Sequence, residues 1–224
     1  VIIDNSAVTA HTGVQVGAGS LEIKGDDTKI TANGAPEKKE GGDGGIKDGA
    51  AVSIINRDGY GDLKSVKIEA GEFKADSTSK AVKAYTFGKN DTDQEQPWED
   101  AGNVVEISGG AYSSSVVEYV IDKLDYEVHN GLYTYHTSLN EAMKEAGNGG
   151  TVSSVGSVNN DETLTDRKVV FKDGNDTVLE VNVADQEQIT LPYLSNNGYY
   201  TFAGWSDGAN SYKAGDPVEV TANM

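Results

Sequence analysis

Val66-Lys-Ile68-Glu-Ala-Gly71-Glu-Phe73 and Val105-Glu-Ile107-Ser-Gly-Gly110-Ala-Tyr112 match at a fixed offset, with Val on Val, Ile on Ile, Gly on Gly and Phe on Tyr. A weaker copy lies earlier, at Ser20-Leu21-Glu-Ile23-Lys-Gly25. A second family of short segments precedes these copies: Val14-Gln-Val16, Ala51-Val52-Ser-Ile54 and Ala81-Val82-Lys-Ala-Tyr85. Apolar and polar residues alternate within each, the period-two pattern of a half-buried strand. Connectors rich in Gly, Asp and Asn, such as Asn56-Arg-Asp-Gly-Tyr-Gly-Asp62, mark the turns between them.

Two strand types recurring in order predict stacked coils, a short right-handed parallel β-helix over residues 1–130. One coil cannot bury its inner face alone, and ladders of like residues from stacked coils complete the core. The Gly of each unit would allow a sharp corner where a side chain does not fit. A β-sandwich, with short strands about every 8–12 residues, is the structural alternative. Two insertions, Asn33 to Gly45 and Gly88 to Gly102, interrupt the coils. Insertions of this kind must leave as outward loops, where solenoids tend to carry binding. The unit Ile107-Ser-Gly-Gly-Ala-Tyr-Ser-Ser-Ser-Val-Val-Glu-Tyr119 resembles an Ile-Ser-Gly-Gly-Thr-Phe-Ser signature of irregular pectate-lyase-like β-helices on bacterial surface proteins.

Residues 131–166 read as a cap and connector. Leu132-Tyr-Thr-Tyr135 is strand-like, and Ser138-Leu-Asn-Glu141 fits a capping box. Leu139, Ala142, Met143 and Ala146 fall at i, i+3, i+4 and i+7, one apolar stripe on a short helix that Gly147-Asn-Gly-Gly150 ends. Thr151 to Val158 is strand-like again, followed by an acidic turn at Asn159 to Glu162. The order is similar to elements that open or cap β-helical segments, a small helix covering an open β edge.

In residues 167–224, Val169-Val-Phe171 and Val178-Leu-Glu-Val-Asn-Val183 predict paired strands joined by the turn Lys172-Asp-Gly-Asn-Asp-Thr177. Ile189-Thr-Leu-Pro192, Gly198-Tyr-Tyr-Thr-Phe-Ala-Gly-Trp205 and a hairpin from Tyr212 to Met224 follow. This succession resembles the Listeria–Bacteroides repeat, the internalin-type B-repeat of bacterial surface proteins, which implies a small β-grasp-like module. Phe202 and Trp205 are expected as core anchors, because a domain this small needs large apolar side chains. The family usually ends with another apolar strand and an aromatic, so stopping at Met224 implies a short last strand or a cut module.

The chain has 224 residues, 27 of them Gly, 4 Pro and no Cys, with a formal charge of −18. Its length allows one or two domains. The composition suits a folded, loop-rich β-protein, and no disulfide or thiol chemistry is available. The acidity argues against nucleic acid, which needs clustered Lys and Arg. It is spread through both halves, as a solvated exterior would be. No run approaches the roughly 20 apolar residues of a membrane span, so no membrane insertion is expected. Val1 to Ser6 lacks the basic start and long apolar core of a signal peptide, which reads as a processed or excised piece.

No catalytic set emerges. Polysaccharide depolymerases need paired acids or a calcium site with a basic residue nearby. The arginines, Arg57 and Arg167, lie in no acidic cluster, and three or four coils are few for a long groove. Asp26, Asp27, Asp43 and Asp48 offer hard oxygens, but their spacing matches no calcium loop and solvated turns are the plainer reading. His11, His129 and His136 are isolated in sequence, without Cys, and point to no zinc site. Ser113 to Ser115 have no assignable His or Asp beside them. No cofactor or metal is expected.

The candidate ligand-binding residue is Trp98, in the acidic insertion Gln94-Glu-Gln-Pro-Trp-Glu-Asp100. Without apolar neighbours in sequence, it could stack on a sugar ring or a partner surface. The alternative is a loop folded back so that the indole covers a coil end. The resemblances together imply a non-catalytic module of a secreted or cell-wall-associated bacterial surface protein. Adhesion or display is its expected job, with a glycan or an extracellular host or matrix protein as partner. A carbohydrate-active β-helix and a purely structural stalk are the alternatives.

Overall fold

The computed structural model describes residues 1–37, 45–57, 59–88, 94–147, 149–155, 167–183, 185–194 and 201–224. The fold is mainly β and divides into two compact units, Val1–Asp122 with Leu132–Tyr135, and Lys123–Gly131 with His136–Met224.

The first unit is built on three ladders that the chain visits in rotation. Strands β1 (Ile2–Asp4), β2 (Ala7–Ala10) and β3 (Val14–Val16) open one rung on each. The next circuit adds β4 (Gly19–Lys24), β5 (Lys29–Ala32) and β6 (Val52–Arg57), and the third adds β7 (Leu63–Ile68), β8 (Glu72–Lys74) and β9 (Val82–Phe87). Strand β10 (Glu95–Pro97) folds back before the fourth circuit contributes β11 (Val105–Ile107) and β12 (Ala111–Tyr112). The ladders run β1-β4-β7-β11, β2-β5-β8-β12 and β3-β6-β9, all by parallel pairing.

Register follows the sequence repeat residue for residue. Ile3, Ile23, Ile68 and Ile107 are successive partners on one ladder, and Leu21, Val66 and Val105 stand beside one another on the same ladder. Val8, Ile30, Phe73 and Tyr112 make the second ladder, and Val14, Val52 and Val82 the third. Ile23, Ile68, Ile107, Phe73 and Tyr112 are fully buried. The Phe73 and Tyr112 rings stack with centroids 5.0 Å apart. Between these positions side chains turn outward, as Glu22, Lys67 and Glu106 do on neighbouring rungs. A one-residue slip would exchange these two sets, so burial fixes the register.

The corners confirm the role expected of glycine at two positions. Gly71 has φ +115° and Gly110 has φ +104°. A Cβ at Gly110 would also sit 3.1 Å from the Gly71 carbonyl oxygen, one circuit away.

A buried carboxylate ties three circuits together. Asp48 accepts from the Thr12 hydroxyl at 3.2 Å, the Ser53 hydroxyl at 2.6 Å, the Tyr85 hydroxyl at 3.0 Å and the Ala50 amide at 3.1 Å. Burial, and next the Asp48 charge, push the Tyr85 phenol above its ordinary range. Its proton therefore stays on as a fixed donor. The last strand of this unit, β14 (Leu132–His136), pairs antiparallel with β12, Tyr133 facing Tyr112.

In the second unit β13 (Tyr126–Asn130) pairs antiparallel with β15 (Gly150–Ser154). Strand β15 runs parallel to β17 (Asp176–Val183), which forms an antiparallel hairpin with β16 (Arg167–Asp173). The hairpin closes through Gly174, with φ +61°. Helix α1 (Leu139–Ala146) begins as the sequence predicts: the Ser138 hydroxyl accepts from the Glu141 amide at 3.2 Å. Its stripe of Leu139, Ala142, Met143 and Ala146 is buried in one cluster with Val152, Val169, Phe171 and Val181.

The expected boundaries at 130/131 and 166/167 therefore differ from the compact units. The helix read as a connector shares its core with the following hairpin, while Leu132–Tyr135 belongs with the ladders. The acidic turn at Asn159 to Glu162 lies outside the described residues.

Two short strand pairings finish the second unit. Strand β18 (Gln188–Thr190) pairs with β21 (Pro217–Glu219), and β19 (Trp205–Ser206) pairs with β20 (Ser211–Tyr212). Beyond β21 the main chain returns to the edge of β16, where the Val170 amide donates to the Met224 carbonyl at 2.9 Å. Trp205 is half-buried, 4.8 Å from the Phe171 ring and 5.2 Å from Phe202, and its indole N–H donates to the Pro192 carbonyl at 2.7 Å. The Leu-Pro and Gly-Trp segments are thus one packed unit. Gly198, Tyr199 and Tyr200 lie outside the described residues. Among the described residues no helix is long and apolar enough to cross a membrane.

Candidate functional site

Trp98 stands at the end of a folded segment rather than on a free loop. After β9 the chain returns as β10, which pairs antiparallel with it, Glu95 facing Phe87 and Pro97 facing Tyr85. The part of the Gly88 to Gly102 insertion expected wholly as loop thus extends a ladder, because the open edge of β9 offers unpaired backbone groups. Immediately beyond, the Ala101 amide donates to the Trp98 carbonyl at 3.1 Å, and a single 3-10 turn at Ala101–Asn103 leads back to β11. Strand and turn together fix the backbone from which the indole projects.

The indole is half-buried and lines a cleft of about 310 Å³ within the first unit. Its neighbours come from separate circuits: Lys80, Lys83 and Ala84 at and before β9, Ala101 and Gly102 from the 3-10 turn, and Glu118 with Tyr119 from a second 3-10 turn at Val117–Tyr119. Ala84 and Tyr119 are absent from the local sequence, and only the pairing of successive circuits brings them to the indole's cleft.

Both lysines at the cleft are paired. Lys83 Nζ lies 2.7 Å from Glu95 Oε2 and 5.1 Å from the centre of the Tyr85 ring. Lys80 Nζ lies 3.4 Å from Glu118 Oε1, with more than half of the lysine side chain exposed. Tyr119 is buried, which raises its phenol well above the ordinary range, and the Glu118 charge adds to the effect. The phenol is therefore a neutral group at any physiological pH, held beside a carboxylate. This arrangement offers an aromatic face, ammonium donors and carboxylate acceptors in one recess.

Several of the other residues singled out in sequence have structural partners. Asp48 is the buried pin described above, its carboxylate occupied by protein donors. Asp26 and Asp27 sit exposed in a turn where the Asp27 amide donates to the Asn5 side chain at 3.2 Å, and Asp43 lies outside the described residues. His11 pins the start of the first insertion, with Nε2 2.7 Å from the Ala35 carbonyl and Nδ1 3.8 Å from Glu37. His129 is exposed on β13, and burial disfavours the charged form of His136.

The serine run joins circuits: the Ser113 hydroxyl accepts from the Ala75 amide at 2.9 Å and that of Ser114 from the Ala81 amide at 2.8 Å. Ser115 lies 3.1 Å from the Tyr135 hydroxyl. Among the described residues no group of three or more His, Cys, Asp or Glu side chains could hold a metal ion.

Lys80, Lys83, Glu118 and Tyr119 were not selected by sequence reasoning. The available signal was the repeat itself: once Ala81 to Tyr85 is aligned as a ladder strand, its outward positions are known. No protein-family model matches the chain, and no curated protein or solved structure matches it either.

Proposed function

We propose that this chain is a non-catalytic binding module of a secreted or wall-associated bacterial surface protein, acting in adhesion or display. In this reading the first unit is a short right-handed parallel β-helix and the second a B-repeat-like β-grasp module. The rotation of the chain through three parallel ladders supports the first assignment. The packed Leu-Pro and Gly-Trp segments support the second.

The single observation that carries the binding role is the recess lined by a half-buried indole together with Lys80, Lys83 and Glu118, the lysines being paired with Glu118 and Glu95. Each of these carboxylates faces an ammonium. The ligand belongs to the first unit, and the second unit serves as spacer.

The test is surface display of the intact chain followed by attachment to glycan and matrix-protein arrays. The wild type is expected to bind and Trp98→Ala to lose that binding. A stalk without a ligand of its own is the second reading, favoured by the unbroken ladders of like residues. Equal attachment by wild type and Trp98→Ala would support the stalk and overturn the binding role of the cleft.

A further inference from the structure

We infer that the ligand of the Trp98 cleft is a neutral saccharide, its C–H face laid on the indole and its hydroxyls bridging the lysine–glutamate pairs. The inference rests on the cleft being the binding site proposed above and goes further by naming the chemical class that fits it.

Size is the first discriminator. A volume of about 310 Å³ lies at the low end of ligand pockets, which run to about 300–1,000 Å³. It fits a short stretch of sugar chain. A stable protein interface needs about 800 Å² and some 20–30 residues on each side. The lining residues, confined to three short stretches between Lys80 and Tyr119, fall far short of that.

Charge is the second. The lining carries Lys80 and Lys83 against Glu99 and Glu118, with Glu95 beside Lys83 at its border, so both signs meet in the recess, whereas the whole chain carries −18. A polyanion would be repelled by that field before it reached two lysines already paired with carboxylates. A cation drawn in by the field would meet the same lysines.

A hydroxyl group solves both problems, because it accepts from an ammonium and donates to a carboxylate at once. The 3.4 Å separation of Lys80 and Glu118, with both side chains about half exposed, leaves donor and acceptor capacity unspent on each partner. A bridging hydroxyl therefore uses the pair without separating it. The third requirement is an apolar face wide enough for a ring. The half-buried indole, bordered by Pro97, Ala84 and Ala101, provides one at low entropic cost because its backbone is held on both sides.

The two tryptophans supply an internal control. Trp98 lies in the cleft, and Trp205 is packed between Phe171 and Phe202 in the other unit. The probes are short neutral glucan, mannan and galactan fragments, with oligogalacturonate as the acidic counterpart, titrated into the full chain. Indole N–H resonances and calorimetry are the readouts. At least one neutral series is expected to move the Trp98 resonance and leave that of Trp205 in place.

Trp98→Ala should weaken that binding roughly thirtyfold, the loss common on truncating an aromatic anchor. Trp98→Phe, which keeps a ring and guards against misfolding, should retain part of it. Tighter binding of oligogalacturonate would overturn the neutral-ligand assignment, as would neutral binding unchanged in Trp98→Ala. If no sugar moves the Trp98 resonance but Trp98-dependent attachment to a matrix protein is found, the saccharide is refuted while the binding module stands. If neither is found, both fall.

Discussion

In the first unit a core residue meets its own counterpart one circuit away, Ile23 beside Ile68 beside Ile107, and Phe73 stacked on Tyr112. In the second unit Phe171 meets Trp205, and Met143 shares a cluster with Val152 and Val181, residues that occupy no equivalent positions. Both solutions bury apolar side chains to similar depth, but they distribute dependence differently. A ladder makes each circuit the floor of the next, so one defect is felt by its neighbours on both sides. A helix-backed sheet concentrates its dependence in a few large contacts and in the turns that bring them together.

The largest test removes one rung. Phe73→Ala would leave the buried Tyr112 ring without its stacking partner and open a cavity between circuits, at a cost of about 3–5 kcal/mol. Urea unfolding followed at the two indoles separates the units, because Trp98 reports the first and Trp205 the second. The Trp98 midpoint should fall sharply while that of Trp205 stays in place. An equal drop in both would mean that the units unfold together and would remove the contrast.

Next comes the polar pin. Asp48→Ala takes the carboxylate acceptor from the buried Ser53 hydroxyl within its own circuit and from Tyr85 on the next. The expected loss is about 3 kcal/mol. It should again be confined to the Trp98 signal. A Tyr85→Phe change in the Asp48→Ala background should then cost less than in the wild type, because the hydroxyl it removes has already lost its bond to Asp48. Strictly additive losses would show that Asp48 and Tyr85 act separately.

How far these contacts could be read beforehand differs between the units. Ladder positions were legible because stacking turns sequence similarity into contact: aligning Val66–Phe73 with Val105–Tyr112 already states their register. Helix α1 was legible from its stripe and its Ser138 cap, both local features.

Asp48 was not. It carries the same label as the exposed Asp26 and Asp27, and only the folded circuits bring Thr12, Ser53 and Tyr85 to it. Ser113 and Ser114 were illegible as structure because their partners are backbone amides at Ala75 and Ala81, which no side-chain pattern marks. Trp98 was picked out by its chemistry, but the cleft was not, since its walls come from stretches that are distant in sequence.

In the second unit two glycines separate steric need from mere tolerance. Gly204 has φ +132°, and a Cβ there would lie 2.3 Å from the Tyr212 carbonyl oxygen, across the β19–β20 pair. Gly174 has φ +61° at the tip of the β16–β17 hairpin, with open space around the missing Cβ. Gly204→Ala should cost about 2 kcal/mol and shift the Trp205 midpoint, because the carbonyl must move away from the aromatic cluster. Gly174→Ala should cost only about 1 kcal/mol. Equal effects would indicate that the aromatic segment tolerates displacement, and that the packed Gly-Trp unit matters less than its contacts suggest.

The smallest effect concerns Asp207, the exposed counterpart of Asp48. Its carboxylate accepts from the amides of Ala209 and Asn210 and from the Asn210 and Tyr212 side chains, closing the turn between β19 and β20. The Asn210 backbone and side-chain bonds, with those from Ala209 and Tyr212, hold its pKa well below the ordinary carboxylate range. A group with a depressed folded pKa binds its proton more readily when unfolded, so protonation favours unfolding. The stabilisation is therefore complete above the unfolded carboxylate pKa of about 3.9 and declines as pH falls toward the lower folded value. Solvent around the group keeps the effect small. Carboxyl NMR should show Asp207 still ionised where an ordinary aspartate is half protonated. In Asp207→Asn the acid dependence of the Trp205 midpoint should weaken while that of Trp98 is unchanged. If both midpoints keep their wild-type acid dependence, the turn at Asp207 is not what holds the β19–β20 pair, and backbone geometry at Gly204 alone must account for it.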